Sequence, residues 1–116
     1  MKMPKATDED KERFQRLVPN DAAVEVKPMF GNLGAFVNGN MFMGLFGSSI
    51  GLKLRDDDQA QLLAEPGAGP FGPEGRPMRG YVALPHGWSP RKAAPWTARA
   101  LNHAAALPAK RKAAKP

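Results

Sequence analysis

The segment from residue 29 to residue 54 contains three short apolar runs separated by two sequences that favour tight turns. Asn38-Gly39 is the pair preferred in a type I′ turn, because both central residues of that turn need positive φ. Gly47-Ser48 fits a type II′ turn, which takes glycine at its first central position. Two such turns in succession predict an antiparallel meander, so the fold must be built around an antiparallel sheet.

Two-residue loops also fix the register of the strands that they join. The pairs predicted in the first hairpin are Phe36 with Met41, Ala35 with Phe42, and Gly34 with Met43. The pairs predicted in the second are Leu45 with Ile50, Gly44 with Gly51, Met43 with Leu52, and Phe42 with Lys53. The two hairpins share their middle strand and agree on which side chains lie on each face.

Both faces of this meander are apolar. One is predicted to pack against helices and collects Phe36, Met41, Met43, Leu45, Ile50, Leu52 and Leu54. The other is less polar than a solvent-facing sheet surface usually is and collects Leu33, Ala35, Val37, Phe42, Gly44, Phe46, Ser49, Gly51 and Lys53. We therefore expect something to cover the second face as well.

The second face has the shape of a binding surface. A cross-strand pair of Gly44 and Gly51 leaves the backbone open as a floor, and Phe42 and Phe46 would stand beside it as aromatic walls. With Lys53 at its edge, this surface is the predicted partner-binding face, for a second copy of the chain or for another protein. The alternative is that the chain's own termini or a long loop cover it.

The flanking segments supply helices and further strands. Thr7 is predicted to cap a first helix, residues 23–27 alternate as a strand that ends or reaches a sheet edge at Pro28, and residues 55–58 open a short helix. Residues 78–84 form the predicted last strand. The fold class is thus two-layer α+β, with an antiparallel sheet of about five strands, an N-terminal helix, a short middle helix and a C-terminal helix.

Prolines mark the second half of the chain. Residues 66–77 hold four prolines and four glycines in twelve positions, so they are predicted to form a long loop without helix or strand, which Phe71 could attach to the body. Ser89-Pro90 begins the last helix. Pro95 is expected to kink or restart that helix, with its main segment at residues 96–107.

Charge is concentrated at the carboxyl end. The net charge is +6, but residues 1–107 carry 13 Lys and Arg against 11 Asp and Glu. We expect residues 1–107 to form a single domain and residues 108–116 to be a disordered basic tail. The alternative function is nucleic-acid association, in which the tail contacts phosphates through Lys110, Arg111, Lys112 and Lys115.

Other features narrow the class of protein. The chain has no cysteine, no apolar leader and no spanning-length apolar run, so a cytoplasmic location without membrane contact is predicted. No catalytic, cofactor-binding or metal-binding residue is predicted, because the GxGxxG at residues 67–72 lies among prolines and the GxSxG at residues 47–51 lies in a hairpin. Consecutive carboxylates at residues 56–58 are explained by helix capping.

A third hypothesis for the function places a small-molecule site in the long loop beside His86 and Arg79.

Several short motifs together resemble the TfoX/Sxy N-terminal domain family. They are MFG at 29–31, FVNG at 36–39 leading into Met41-Phe42, GRPM at 75–78 running into Tyr81-Val82 and Leu84-Pro85, and Pro95-Trp96 followed by residues 99–101. The resemblance covers residues 8–107 and implies a two-layer α+β domain. It also implies a non-enzymatic regulatory role, since founding members regulate natural competence with a transcriptional activator. Those members carry a second, helical domain, and this chain is expected to be a stand-alone N-terminal domain.

Overall fold

Three helices cover one face of a six-stranded antiparallel sheet in a computed structural model that describes residues 5–29, 31–72 and 75–108. The elements are α1 (Asp8–Leu17), β1 (Val24–Met29), β2 (Asn32–Val37), β3 (Asn40–Phe46), β4 (Ser49–Lys53), α2 (Asp56–Leu63), β5 (Gly69–Pro70), β6 (Tyr81–Ala83) and α3 (Pro90–Ala105). The strand order is β1-β2-β3-β4-β6-β5. The predicted two-layer α+β architecture is confirmed.

The strand count differs from the predicted five because the Gly/Pro loop contributes a short strand. β5 pairs with β6 at the sheet edge, where Pro70 needs no amide hydrogen on its outer side. The prediction that residues 66–77 contain no strand is therefore wrong. The last strand is also shorter than predicted, since Gly80 takes a φ of +88° immediately before Tyr81. Pro28 lies in the opposite edge strand, β1, as predicted.

Both predicted turns are confirmed. Asn38 and Gly39 have φ values of 53° and 79°, the positive values that a type I′ turn requires, and Gly47 has a φ of 63°. In the second hairpin, Gly44 pairs with Gly51, Leu45 with Ile50 and Met43 with Leu52. These three pairs are the predicted ones.

A β-bulge changes the register of the first hairpin. Phe36 pairs with Met41 as predicted, but Ala35 pairs with Met43 and Gly34 with Gly44. The predicted pairs Ala35–Phe42 and Gly34–Met43 are wrong, because Phe42 is an extra residue in β3 without a counterpart in β2. Phe42 is likewise absent from the paired residues of β3 and β4, so it does not face Lys53.

The bulge exchanges side chains between the two faces of the sheet. Phe42 is fully buried in the core on the helix side, where it joins Leu33, Ala35 and Val37. Phe36 and Met41, predicted to be core residues, are half-buried on the face away from the helices, which we call the outer face. The remaining inward residues of the meander, Met43, Leu45, Ile50, Leu52 and Leu54, are in the core as predicted.

The helices begin where the sequence predicts. Thr7 and Asp10 form a reciprocal capping box at the start of α1, and the Ser89 hydroxyl accepts a hydrogen bond from the Lys92 amide at the start of α3. Arg55 precedes α2 without a side-chain cap. α3 runs unbroken from Pro90 to Ala105, so the expectation that Pro95 restarts this helix is wrong.

We predict that Phe42→Ala lowers the free energy of unfolding by about 3–5 kcal/mol, the cost of truncating a fully buried Phe. Phe36→Ala is the matched control and is expected to cost clearly less, since Phe36 is only half-buried. Urea denaturation of both variants measures the difference. Equal losses would contradict the placement of Phe42 in the core.

Candidate functional site

A row of small residues crosses the outer face of the sheet. The cross-strand pairs place Gly34 beside Gly44, Gly44 beside Gly51, and Gly51 beside Ala83. Lys27 and Gly69 pair with the two ends of the row. Because three neighbouring strands carry no side chain here, the outer face has a trough with a backbone floor, which we call the glycine trough (Gly34, Gly44, Gly51).

Phe71 from the Gly/Pro loop fills one end of the glycine trough. A Cβ on Gly51 would overlap the ring atoms of Phe71, so the ring lies directly on the backbone of β4. The ring is edge-on to Phe46 at 6.4 Å between centroids and tilted against Tyr81 at 5.9 Å. Phe71 is only 3% exposed, although it belongs to a loop. The interpretation that the chain's own loop covers this face is correct for this end.

Methionines fill the other end of the trough. A Cβ on Gly34 would lie 3.0 Å from the Met29 sulfur, 3.0 Å from the Phe36 ring and 3.1 Å from the Met41 sulfur. A Cβ on Gly44 would lie 3.3 Å from the Met41 methyl group and 3.4 Å from the tip of Phe71. Gly44 thus lies between Phe71 on one side and the methionine side chains on the other.

A cavity of about 390 Å³ opens beside Gly44 and is partly open to solvent. Its walls come from five separate parts of the chain and are almost entirely apolar. Asn32 and Arg76 are the polar residues of its lining. The other lining residues are Met29, Leu33, Met41, Gly44, Leu45, Phe46, Phe71 and Met78. Volume and lining are those of a site for a small apolar group.

Hydrogen bonds hold the walls of this cavity in place. The Asn32 side-chain oxygen accepts from the Gly47 amide at 2.8 Å, which ties the start of β2 to the turn after Phe46. The Met78 amide donates to the Phe71 carbonyl at 2.7 Å and closes the loop at its base. The Tyr81 hydroxyl donates to the Met41 carbonyl at 2.9 Å, beside the bulge.

The predicted partner-binding face is changed in composition. Phe42 cannot belong to it, since the bulge places this ring in the core. Gly51 is covered by Phe71, while Gly44 and Phe46 line the cavity. Lys53 lies on the outer face, with its ammonium group 5.9 Å from the centre of the Tyr81 ring. The described structure therefore keeps the glycine floor and one aromatic wall of the prediction.

The other predicted residues lie elsewhere. Lys110, Arg111, Lys112 and Lys115 are outside the described residues. His86 and Arg79 are exposed and do not line the cavity. The acidic run lies in the first turn of α2, which has no side-chain cap, and the Asp58 carboxylate is 3.4 Å from Arg99 of α3. Within the described ranges, no group of three or more metal-binding side chains is found, and no helix has the length and apolar character needed to cross a bilayer.

Comparison with known protein families agrees with the fold. The model of the TfoX N-terminal domain matches residues 12–104, which is most of the chain. The chain belongs to the TfoX N-terminal domain family. Membership suggests a regulatory or competence-related role for this TfoX N-terminal domain. Comparisons with curated proteins and with solved structures give no match.

Sequence reasoning missed most of the cavity in this TfoX N-terminal domain. Met29, Met41 and Met78 are 12 or more positions apart in the sequence. The strand register around Gly34 brings Met29 and Met41 together, and the loop that carries Phe71 brings in Met78. The available signal was the recurrence of glycine in three successive strands. That signal indicates a trough only when the bulge is known, because the unbulged register places Gly34 opposite Met43.

We predict that Gly51→Ala lowers the free energy of unfolding by about 1–3 kcal/mol, because the added methyl group collides with the Phe71 ring. Gly69→Ala is the matched control, since a Cβ at this end of the same row meets no atom within 4 Å. Its expected effect is within about 0.5 kcal/mol. Urea denaturation tests both, and equal effects would contradict the seating of Phe71 on Gly51.

Tyr81 makes stability depend on pH. Burial raises the pKa of its hydroxyl from 10.0 to about 12, because the phenolate would lose solvation. The folded state therefore holds this proton more tightly, so the stabilisation is complete below pH 10 and is lost as pH rises through 12. Since the side chain is partly exposed, the expected loss is about 1–2 kcal/mol.

Denaturation at increasing alkaline pH measures this loss. Tyr81→Phe is the control, because it retains the titration of the lysines but lacks the Tyr81 contribution. The chain has one tyrosine, so tyrosinate absorbance reports this residue alone. An ordinary tyrosine titration in the folded protein would contradict the prediction.

Proposed function

We propose that this TfoX N-terminal domain is a non-enzymatic regulatory domain that binds a protein partner by receiving an apolar side chain in the cavity beside Gly44. The observation that carries the proposal is the cavity itself, with its methionine and phenylalanine walls over a backbone floor. Methionine side chains adapt their shape to different apolar groups, which suits them to recognition surfaces.

The lining chemistry supports binding over catalysis. A general acid or base needs a pKa near the working pH, and a nucleophile needs a base beside it. The polar residues of the lining are an amide, Asn32, whose oxygen already accepts a backbone hydrogen bond, and a guanidinium, Arg76. Neither residue type titrates near neutral pH. The cavity therefore offers contact and charge without proton transfer.

The surface supports a different protein as partner more than a second copy of the chain. A stable dimer buries about 800 Å² on each partner, with an apolar centre. Among the described residues, Val26 and Leu63 are the large hydrophobic side chains that are classed as exposed. A small interface built around one inserted side chain needs less apolar surface than a stable dimer, because a few buried residues supply most of the binding energy.

The charges on the outer face indicate which residues the partner should carry beside its apolar anchor. Lys27 and Lys53 lie on this face and Arg76 borders the cavity, while Glu25 neutralises part of the charge at a distance of 3.8 Å from Lys27. We therefore expect the partner to present its apolar anchor beside acidic residues. Tail-mediated contact with nucleic acid is a second proposal, based on the four cations among the last nine residues.

The test is affinity capture from the native cell with the wild type, Gly44→Val and Gly69→Val. Valine suits a strand, and at position 44 it places methyl groups in the cavity, whereas at position 69 its Cβ has open space. We expect one or more proteins to be retained by the wild type and Gly69→Val and to be lost with Gly44→Val. Nuclease treatment removes proteins that are bridged by nucleic acid.

Light scattering on the same preparations checks self-association, and a monomer of 12.5 kDa is expected. Circular dichroism checks that Gly44→Val is folded. Retention of the same proteins by folded Gly44→Val would reject the cavity as the partner site. A dimer that Gly44→Val dissociates would replace the partner with a second copy of the chain.

A further inference from the structure

The interior of the cavity selects an apolar body. Two phenylalanine rings and three methionine side chains surround the space over Gly44, and none of the strand residues that line it is charged. Water inside such a space has few hydrogen-bond partners, because an ordered water needs two to four. An apolar group would displace this poorly bound water, which favours binding.

The mouth of the cavity carries positive charge. Arg76 is exposed at the lining, and its side chain forms no hydrogen bond or ion pair with another described residue. Its planar guanidinium can hold a carboxylate through two parallel hydrogen bonds. Lys27 lies at the end of the glycine trough, but Glu25 is 3.8 Å from its ammonium group, so Arg76 is the cation that borders the cavity.

The volume sets the size of an occupant. At roughly 30 Å³ for each small group, the share of one water in the liquid, 390 Å³ holds about a dozen non-hydrogen atoms. We infer that the cavity binds a small amphipathic carboxylate, a medium-length acyl chain whose body lies among the methionines and whose carboxylate pairs with Arg76. Such a ligand occupies the place of the partner's apolar anchor, and this regulatory consequence rests on the proposed function.

Octanoate is the probe, and the methionine methyl groups are the reporters. With ¹³C-methyl methionine labelling, NMR titration is expected to shift the Met29, Met41 and Met78 signals. Met43 is an internal control, because it is fully buried on the helix side of the sheet. An absence of shifts at all three cavity methionines, or an equal shift at Met43, would overturn the inference.

Two variants, each with a matched control, and one ligand analogue distinguish the contribution of the acyl chain from that of the carboxylate. Gly44→Val is expected to abolish the shifts, and Gly69→Val to keep them. Arg76→Gln is expected to weaken octanoate binding about two- to fivefold, the range of a solvent-exposed ion pair, without changing the binding of octanol. Arg91→Gln, an exposed arginine on α3, is the charge control. Equal octanoate affinity in wild type and Arg76→Gln would reject the carboxylate contact, even if Gly44→Val does not fold.

The titration needs no protein partner, so its result is independent of affinity capture. Binding of octanoate without cavity-dependent capture would reject the proposed function and keep the ligand site. Cavity-dependent capture without octanoate shifts would support the proposed function and reject the ligand site. If both hold, added octanoate is expected to release the captured protein.

Discussion

The absence of side chains at Gly34, Gly44 and Gly51 is the constraint on which the outer half of this domain depends. It lets the Phe71 ring pack on the backbone of β4 and lets methionine side chains pack on the backbone of β2. Burying a phenylalanine contributes about 1.5–3 kcal/mol, whereas ordering one backbone residue costs about 1–2 kcal/mol. Phe71 alone therefore cannot fix a long loop. The β5–β6 pairing and the Met78–Phe71 hydrogen bond supply the remaining anchorage.

Local chemistry made half of the meander predictable from sequence. Positive φ at Asn38, Gly39 and Gly47 follows from residue type, so both turns and the second register could be derived. The bulge at Phe42 could not be derived in this way, because it is favoured by contacts between residues that are distant in the sequence. One extra residue moves a large ring into the core beside Leu33 and leaves Phe36 and Met41 outside, and no neighbouring residue signals that exchange.

The same bulge limited how much of the site could be predicted. The Gly44–Gly51 floor and the Phe46 wall follow from the second hairpin, which has the predicted register. The remaining walls depend on contacts between distant segments, such as Met29 with Gly34 and Phe71 with Gly51. Periodicity places residues on faces of one element, but it contains no information on which loop returns to cover that face.

The open apolar cavity beside Gly44 supports the proposal of a ligand. Flexible methionine walls could close much of that space at low cost, and a larger residue at position 44 could fill it. The space instead remains open beside Arg76, which forms no ion pair with another described residue; water gains little there, and an apolar anion gains both burial and charge pairing.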